Sequence, residues 1–108
     1  MAELESTDPL ASIERTADED GARAFRVSGE LDISSVDAVE AALEGELDSP
    51  AARVIFDLGE LTFMDSSGIA LFLRIAGRVK ALELRHVRPT IRRVIEVSGL
   101  TDLFHIVS

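Results

Sequence analysis

The chain has 108 residues, of which 46% are hydrophobic, and its formal net charge is -9 at pH 7. This length fits one small domain, and the negative charge argues against general nucleic-acid binding and against an anionic membrane surface as partner, because both need cationic groups. Cysteine is absent, which excludes disulfides, thiolate catalysis and cysteine-based metal sites and, with no apolar signal segment, predicts a cytoplasmic protein.

The N-terminal part of the chain predicts a tail followed by two strands. Residues 1–9 are polar and acidic and end in a proline, a pattern typical of a disordered tail, so we expect the folded domain at residues 10–108. Polar and apolar residues then alternate over residues 10–17, which predicts an edge strand, and over residues 22–29, which predicts a second strand. The turn residues at 18–21 predict a hairpin between them.

The middle of the chain predicts a helix, a buried strand and a second helix. In the first helix Ser34 or Ser35 can supply the N-cap. Its acidic residues lie opposite the apolar ones, so we interpret them as a solvated helix face. Residues 53–58, "RVIFDL", are nearly all apolar, as in a strand buried on both faces. Residues 67–79 predict the second helix. Leu71 lies beside Arg78 and outside the main apolar stripe, so it is a tolerated surface leucine, part of a wider buried zone or a partner contact.

The C-terminal part predicts a last strand and a closing helix. The strand covers residues 82–87, "LELRHV", and Pro89 suits the first turn of the helix that follows. Gly99 is placed to end this helix. Residues 100–107 are apolar enough to pack on the sheet, with one helical turn among them. The order β-β-α-β-α-β-α predicts an α/β domain with helices packed on a mixed sheet.

Enzyme and metal chemistry find little support in the sequence. Ser66 and Ser67 do not lie in a G-x-S-x-G elbow, and His86 and His105 are far apart, without metal-ligand spacing. Neither a P-loop nor a G-x-G-x-x-G motif is present, so we expect no cofactor and no metal. A phosphoaspartate receiver built on Asp57 would need an acidic pair and a later lysine, but Asp32 stands alone. We expect Asp57 to cap the loop that follows it.

The D-S-S-G motif at residues 65–68 stands at the predicted start of the second helix. Asp65 or Ser66 could be an N-cap there. Alternatively, a serine at this place could accept a phosphoryl group, since the free N–H groups and the positive end of a helix tolerate added negative charge. Periodicity does not separate the two interpretations.

The stretch "VIFDLGELTFMDSSGIALFL", with "VSGELD" before it and "RRVIEVSGLTDLF" after it, resembles the bacterial anti-sigma factor antagonists of the STAS domain family, over about residues 10 to 107. The resemblance implies the STAS fold, a four- to five-stranded mixed β-sheet packed with about four helices, and a non-catalytic switch. The unphosphorylated antagonist would bind an anti-sigma factor that is a serine kinase and so release the sigma factor. Phosphorylation of the first motif serine, Ser66, would end binding, and a serine phosphatase would restore it.

The same resemblance implies partner contacts at Asp32, Asp65, Ser67, Gly68 and Ile69, to which the helical wheel adds Leu71. One feature departs from the family: "RIAGRVKALELRHV" lacks the longer glycine-containing turn expected after the motif helix. We therefore expect the helix to unwind near Lys80 and the next strand to start at Leu82. The alternative functions are a STAS module in a lipid-transport or signalling assembly and, from another class, an enzyme that lacks an evident base.

Overall fold

The computed structural model describes residues 5–7, 10–18, 20–47, 53–99 and 104–107. These residues form seven strands and three helices: β1 (Glu5–Thr7), β2 (Ala11–Arg15), β3 (Arg23–Leu31), α1 (Val36–Leu43), β4 (Arg53–Asp57), β5 (Leu61–Met64), α2 (Ser66–Ala76), β6 (Ala81–Arg85), α3 (Pro89–Val97) and β7 (His105–Val107). None of the helices in this part of the chain is long and apolar enough to span a membrane.

The strands form one mixed sheet in the order β1-β2-β3-β4-β6-β7. The pairs β1–β2 and β2–β3 are antiparallel, and the pairs β3–β4, β4–β6 and β6–β7 are parallel. Strand β5 runs parallel to the end of β3, beyond the residues of β3 that pair with β4. The parallel strands advance in one direction across the sheet, so right-handed crossovers place the helices on the same face.

The core lies between that face and the helices. One hydrophobic cluster contains buried residues of all three helices together with inward-facing residues of β2, β3, β4 and β6. Four phenylalanines run through it, with ring centroids 5.5 Å apart for Phe25 and Phe56, 5.3 Å for Phe56 and Phe72, and 6.5 Å for Phe72 and Phe104. Such offset and edge-to-face pairs add to the burial of apolar area. The opposite sheet face carries a small cluster of Ala22, Ala24 and Ile55.

The backbone conformation and close packing at Gly29 explain why the stretch "VSGELD" contains a glycine. Its φ is +92°, and a Cβ atom at this position would lie 2.2 Å from the backbone oxygen of Leu10. The register of β3 against β5 shifts between Gly29 and Glu30, as in a β-bulge, which increases local bending of a strand. The bulge turns the end of β3 toward the loop that carries Asp32.

The structure confirms the α/β class and most of the predicted elements. Strands β2, β3, β4 and β6 and helices α1, α2 and α3 lie where the sequence predicts them, and β2 and β3 form the predicted antiparallel pair. Helix α2 ends at Ala76 and β6 begins at Ala81, which confirms the short connection near Lys80. Gly99 follows α3 with a φ of +75°.

Three strands of the structure were not predicted. Residues 5–7 form β1, so the expected disordered tail is wrong there, and β2 is consequently not an edge strand; residues 1–4, 8 and 9 lie outside the described residues. Strand β5 has exposed residues at its two middle positions and so lacks the alternation of a strand. Residues 105–107 pack on the sheet as β7 rather than as a helical turn; residues 100–103 lie outside the described residues. The described part of the chain therefore has seven strands rather than four or five, and three helices rather than about four.

Candidate functional site

Two loops meet at the carboxyl edge of the sheet, where β3 and β5 end. Leu31 and Met64 are register partners in these parallel strands, and Asp32 and Asp65 follow them directly. The backbone N–H of Asp65 donates to the carbonyl oxygen of Leu31 at 3.2 Å. The two aspartates, far apart in sequence, are therefore neighbours at the starts of α1 and α2.

Asp65 is the N-cap of α2, which confirms one of the two interpretations of the motif. Its backbone is extended, and its Oδ1 accepts a hydrogen bond from the N–H of Ser67 at 2.8 Å. Its carbonyl oxygen accepts from the N–H groups of Gly68 and Ile69 at 3.1 and 3.3 Å. The carboxylate thus satisfies one of the N–H groups that a helix start leaves unpaired.

Ser66 is the first residue of α2 and is exposed. Within the described residues, its hydroxyl group has no hydrogen-bond partner. Ser67, the next residue, is half-buried, and its N–H is occupied by the Asp65 cap. Of the two motif serines, Ser66 therefore has the more accessible hydroxyl group, at the positive end of a helix.

The Asp32 turn, residues 32–35, is held by hydrogen bonds from all of its polar side chains. Ser34 donates to Oδ1 of Asp32 from its N–H at 2.9 Å and from its hydroxyl at 2.6 Å. The Ser35 hydroxyl is fully buried; it donates to the carbonyl oxygen of Glu30 at 2.7 Å and accepts from the N–H of Asp32 at 3.1 Å. The bonds from Ser34 are the main cause that lowers the pKa of Asp32 below its ordinary value, so its carboxylate stays charged.

This arrangement corrects the predicted cap of α1. Ser35 occupies the N-cap position, but its side chain makes no capping bond to the helix. Its hydroxyl instead joins the turn to the end of β3. The sequence thus predicted the N-cap position of Ser35 correctly, but its hydroxyl bonds to Glu30 instead of to an N–H group of α1.

Three of the predicted partner contacts lie in the core. Gly68, Ile69 and Leu71 are all buried in the free domain, so their contact with a partner stays a prediction. Leu71 is covered because its side of α2 faces α1: Arg74 donates to Glu40 at 2.8 and 3.0 Å, and Arg78 donates to Glu44 at 3.2 Å. Among the alternatives for Leu71, the structure therefore supports a wider buried zone.

The structure shows an exposed apolar residue at the site that was not predicted from the sequence. Ile33, inside the Asp32 turn, is 79% exposed. A single apolar residue between polar ones was the only signal in the sequence, and isolated exposed apolar residues are common. Phe63, two residues before Asp65, is also exposed, at 47%.

Asp57 and His86 lie together at the ends of β4 and β6. Asp57 Oδ1 accepts from the N–H of Gly59 at 2.9 Å, which confirms the predicted cap of the following loop, and lies 3.1 Å from His86 Nδ1. Partial burial, the largest effect, raises the pKa of Asp57, but the bonds from Gly59 and His86 outweigh it and lower the pKa overall. Among the described residues, no group of three or more acidic or histidine side chains is placed to hold a metal ion.

Comparison with known proteins decides the family. The sequence profile of the STAS domain matches residues 15–108, most of the chain. The chain belongs to the STAS domain family. This STAS domain is 36% identical to the anti-sigma F factor antagonist of Lysinibacillus sphaericus over 84 residues, which cover 70% of this chain and 69% of that protein. It is 32% identical to the anti-sigma-B factor antagonist of Staphylococcus aureus over 88 residues, 75% and 79% of the two chains.

Solved structures agree with this assignment. The STAS domain superposes on the anti-sigma factor antagonist SpoIIAA in its unphosphorylated form with a TM-score of 0.72 and 26% identity, covering 89% of this chain and 88% of that one. The phosphorylated form of SpoIIAA, from Bacillus, gives a TM-score of 0.64 at 26% identity, with 89% and 91% of the chains covered. The mixed sheet with helices described above is therefore the STAS fold.

Proposed function

We propose that this STAS domain is an anti-sigma factor antagonist whose unphosphorylated form binds a kinase-type anti-sigma factor and so releases a sigma factor. The named function of the relatives supports the antagonist role. The observation that carries the switch is the exposed Ser66 hydroxyl at the first position of α2, beside Asp65 and next to the Asp32 turn. The protein itself binds and does not catalyse, and it acts in the cytoplasm without contacting nucleic acid or membrane.

Phosphorylation of Ser66 by the anti-sigma factor kinase would switch this binding off. A phosphoryl group adds about -1.5 to -2 charges at pH 7, and a helix N-terminus can carry it without unfolding. The added charge would lie beside the carboxylates of Asp32 and Asp65. A partner surface that complements two carboxylates would then face excess negative charge and an additional bulky group, and the complex would weaken. A serine phosphatase would return the domain to its binding form.

The contacts that we propose for the anti-sigma factor are the accessible ones. Asp32, Asp65 and Ser67 reach the surface around Ser66. Gly68 contributes indirectly: because it has no side chain, the start of α2 can pack closely against Met64 and Leu31. The binding surface is therefore the carboxyl edge of β3 and β5 with the Asp32 turn, rather than the length of α2.

The test is a phosphorylation assay with each purified kinase-type anti-sigma factor encoded in the source genome. One of them should transfer a single phosphoryl group from ATP to Ser66, located by mass spectrometry, and Ser66→Ala should lose it. Ser67→Ala, which alters the neighbouring hydroxyl, is the matched control and should remain a substrate. The phosphorylated domain should bind that kinase at least about 10-fold more weakly than the unphosphorylated domain. Phosphorylation of Ser66→Ala at the wild-type rate would refute the acceptor, and equal affinity of both forms would refute the switch.

A further inference from the structure

Ile33 is unusual among the exposed apolar residues of this domain. The large apolar side chains that are exposed in the described residues are Leu10, Ile33, Phe63, Val97 and Val107, and Ile33 is the most exposed of them, at 79%. Exposure alone needs no explanation. Ile33, however, lies inside the Asp32 turn, directly beside the site proposed for binding and phosphorylation.

The turn that carries Ile33 is held in one conformation by hydrogen bonds within the free domain. The N–H groups of Ser35 and Val36 both donate to the carbonyl oxygen of Asp32 at 3.0 Å, and the side chains of Asp32 and Ser34 bond to each other at 2.6 Å. The buried Ser35 hydroxyl ties the turn to β3. An apolar side chain on such a turn loses little backbone entropy on binding, and this preorganisation favours affinity.

The surroundings of Ile33 are acidic. Between Arg26 and Arg53 the chain has seven acidic residues and no lysine, arginine or histidine. Two of these, Glu30 and Asp37, are exposed on either side of the turn, and Asp65 lies at the neighbouring strand end. A complementary surface must therefore offer an apolar pocket within a rim of basic side chains.

We propose that Ile33 is the apolar anchor by which this STAS domain selects its anti-sigma factor, inserting into a pocket that basic residues of the anti-sigma factor surround. The inference rests on the proposed function and adds to it a specificity-determining residue. Such arrangements are typical of interface hot spots, in which a central apolar side chain is desolvated and polar groups form the rim. A second copy of this chain fits poorly, because two acidic surfaces of a molecule with a net charge of -9 repel each other.

The test compares Ile33→Ala with Val97→Ala in binding to the anti-sigma factor kinase identified by the phosphorylation assay. Val97 is a matched control: it is also a β-branched aliphatic residue and is 71% exposed. It is the last residue of α3, a different element from the Asp32 turn. Ile33→Ala should weaken binding by about 10- to 100-fold and Ile33→Val by about 4-fold, in proportion to the apolar area removed. Val97→Ala should bind like wild type.

Two further measurements separate an anchor from a structural residue. The denaturation midpoint of Ile33→Ala should equal that of wild type, because the side chain is exposed. In the kinase reaction its KM should rise while its kcat stays within about 2-fold, since the anchor contacts the partner away from the transferred phosphoryl group.

The outcomes distinguish this inference from the proposed function. If wild type binds none of the anti-sigma factors, the proposed function fails and the anchor fails with it. If wild type binds and Ile33→Ala binds equally well, the anchor alone is refuted. Self-association of wild type in light scattering that Ile33→Ala abolishes, with binding to the kinase unchanged, would identify a second copy as the occupant and would also overturn the proposal.

Discussion

At Gly68 the backbone of α2 comes close to the ends of β3 and β5. A Cβ atom on this glycine would lie 2.4 Å from Cγ of Met64 and 3.1 Å from Cβ of Leu31. Neither atom is the free end of a flexible side chain, and both residues are buried, so the helix start would have to move away from the sheet. The glycine of the D-S-S-G motif is therefore a packing residue that sets the height of Ser66 above the sheet.

Gly68→Ala should consequently lower the free energy of unfolding by about 1 to 3 kcal/mol, the usual cost of overpacking a core. Gly77→Ala is the matched control, because Gly77 is the C-cap of the same helix, its φ is -74°, and its nearest Cβ contacts would be ordinary ones at 3.6 and 3.7 Å. That variant should be neutral or slightly stabilising. Urea denaturation of both variants is the measurement, and equal stability of the two would contradict the packing role.

At the scale of elements, the sequence predicted well wherever one periodicity dominates a segment. Strand β4 and helix α3 follow from a short apolar run and from an amphipathic pattern after a proline, and both were confirmed. Strand β5 was missed because an edge strand of four residues with Thr62 and Phe63 exposed has no alternation. Helix α2 was predicted, but the sequence left the burial of Leu71 open, because a helical wheel does not show that a second helix covers the side beside Arg78.

Only part of the candidate site could be predicted from the sequence. The D-S-S-G motif and the resemblance it carries indicated Asp65 and Ser66, whereas the approach of Asp32 to Asp65 depends on the parallel pairing of β3 with β5. A strand pairing between distant segments is a tertiary property, which local patterns do not encode. The sequence did not indicate Ile33 as a site residue, because its exposure depends on the geometry of the turn.

The link between α1 and α2 gives a prediction for pH. The hydrogen bond from Arg74 is the largest cause that lowers the pKa of Glu40 below its ordinary value of 4.5. Because the folded-state pKa is lowered, the stabilisation is present above the unfolded pKa and is lost as the pH falls through the lowered folded value. Both side chains are partly exposed, so the coupling at pH 7 should be weak, as in other surface ion pairs.

A double-mutant cycle with Glu40→Gln and Arg74→Met measures this coupling through the free energy of unfolding. The coupling should be weaker at pH 3 than at pH 7, because protonation of Glu40 as the pH falls removes the charge that Arg74 contacts. A cycle between Glu40 and Arg93, which lies on α3, is the control and should give additive effects at both pH values. A coupling that is the same at pH 7 and pH 3 would show that the contact does not depend on the charge of Glu40.

Along the whole chain, acidic and basic residues are unevenly distributed, although arginines of other elements pair with Glu40, Glu44 and Glu46. The stretch from residue 27 to residue 52, which includes the Asp32 turn and α1, has seven acidic residues and no basic one. Residues 85–93, at the end of β6 and the start of α3, have four arginines and no acidic residue. The proposed binding surface lies with the acidic region, so the field of the molecule should orient it toward a basic partner.

Association with the anti-sigma factor should therefore be steered by charge, and its rate constant should fall about 10-fold or more as the salt concentration rises from about 50 to about 500 mM, because the Debye length shortens to a few ångströms. The dissociation rate should change less, since it depends on the contacts within the complex. Asp37→Asn, on the exposed side of α1, should slow association at low salt, and Arg93→Gln on α3, the matched neutralisation in the basic region, should not. Stopped-flow measurement of both variants decides the point: an association rate that is independent of salt, or that falls equally in the two variants, would mean that the acidic surface does not face the partner during encounter.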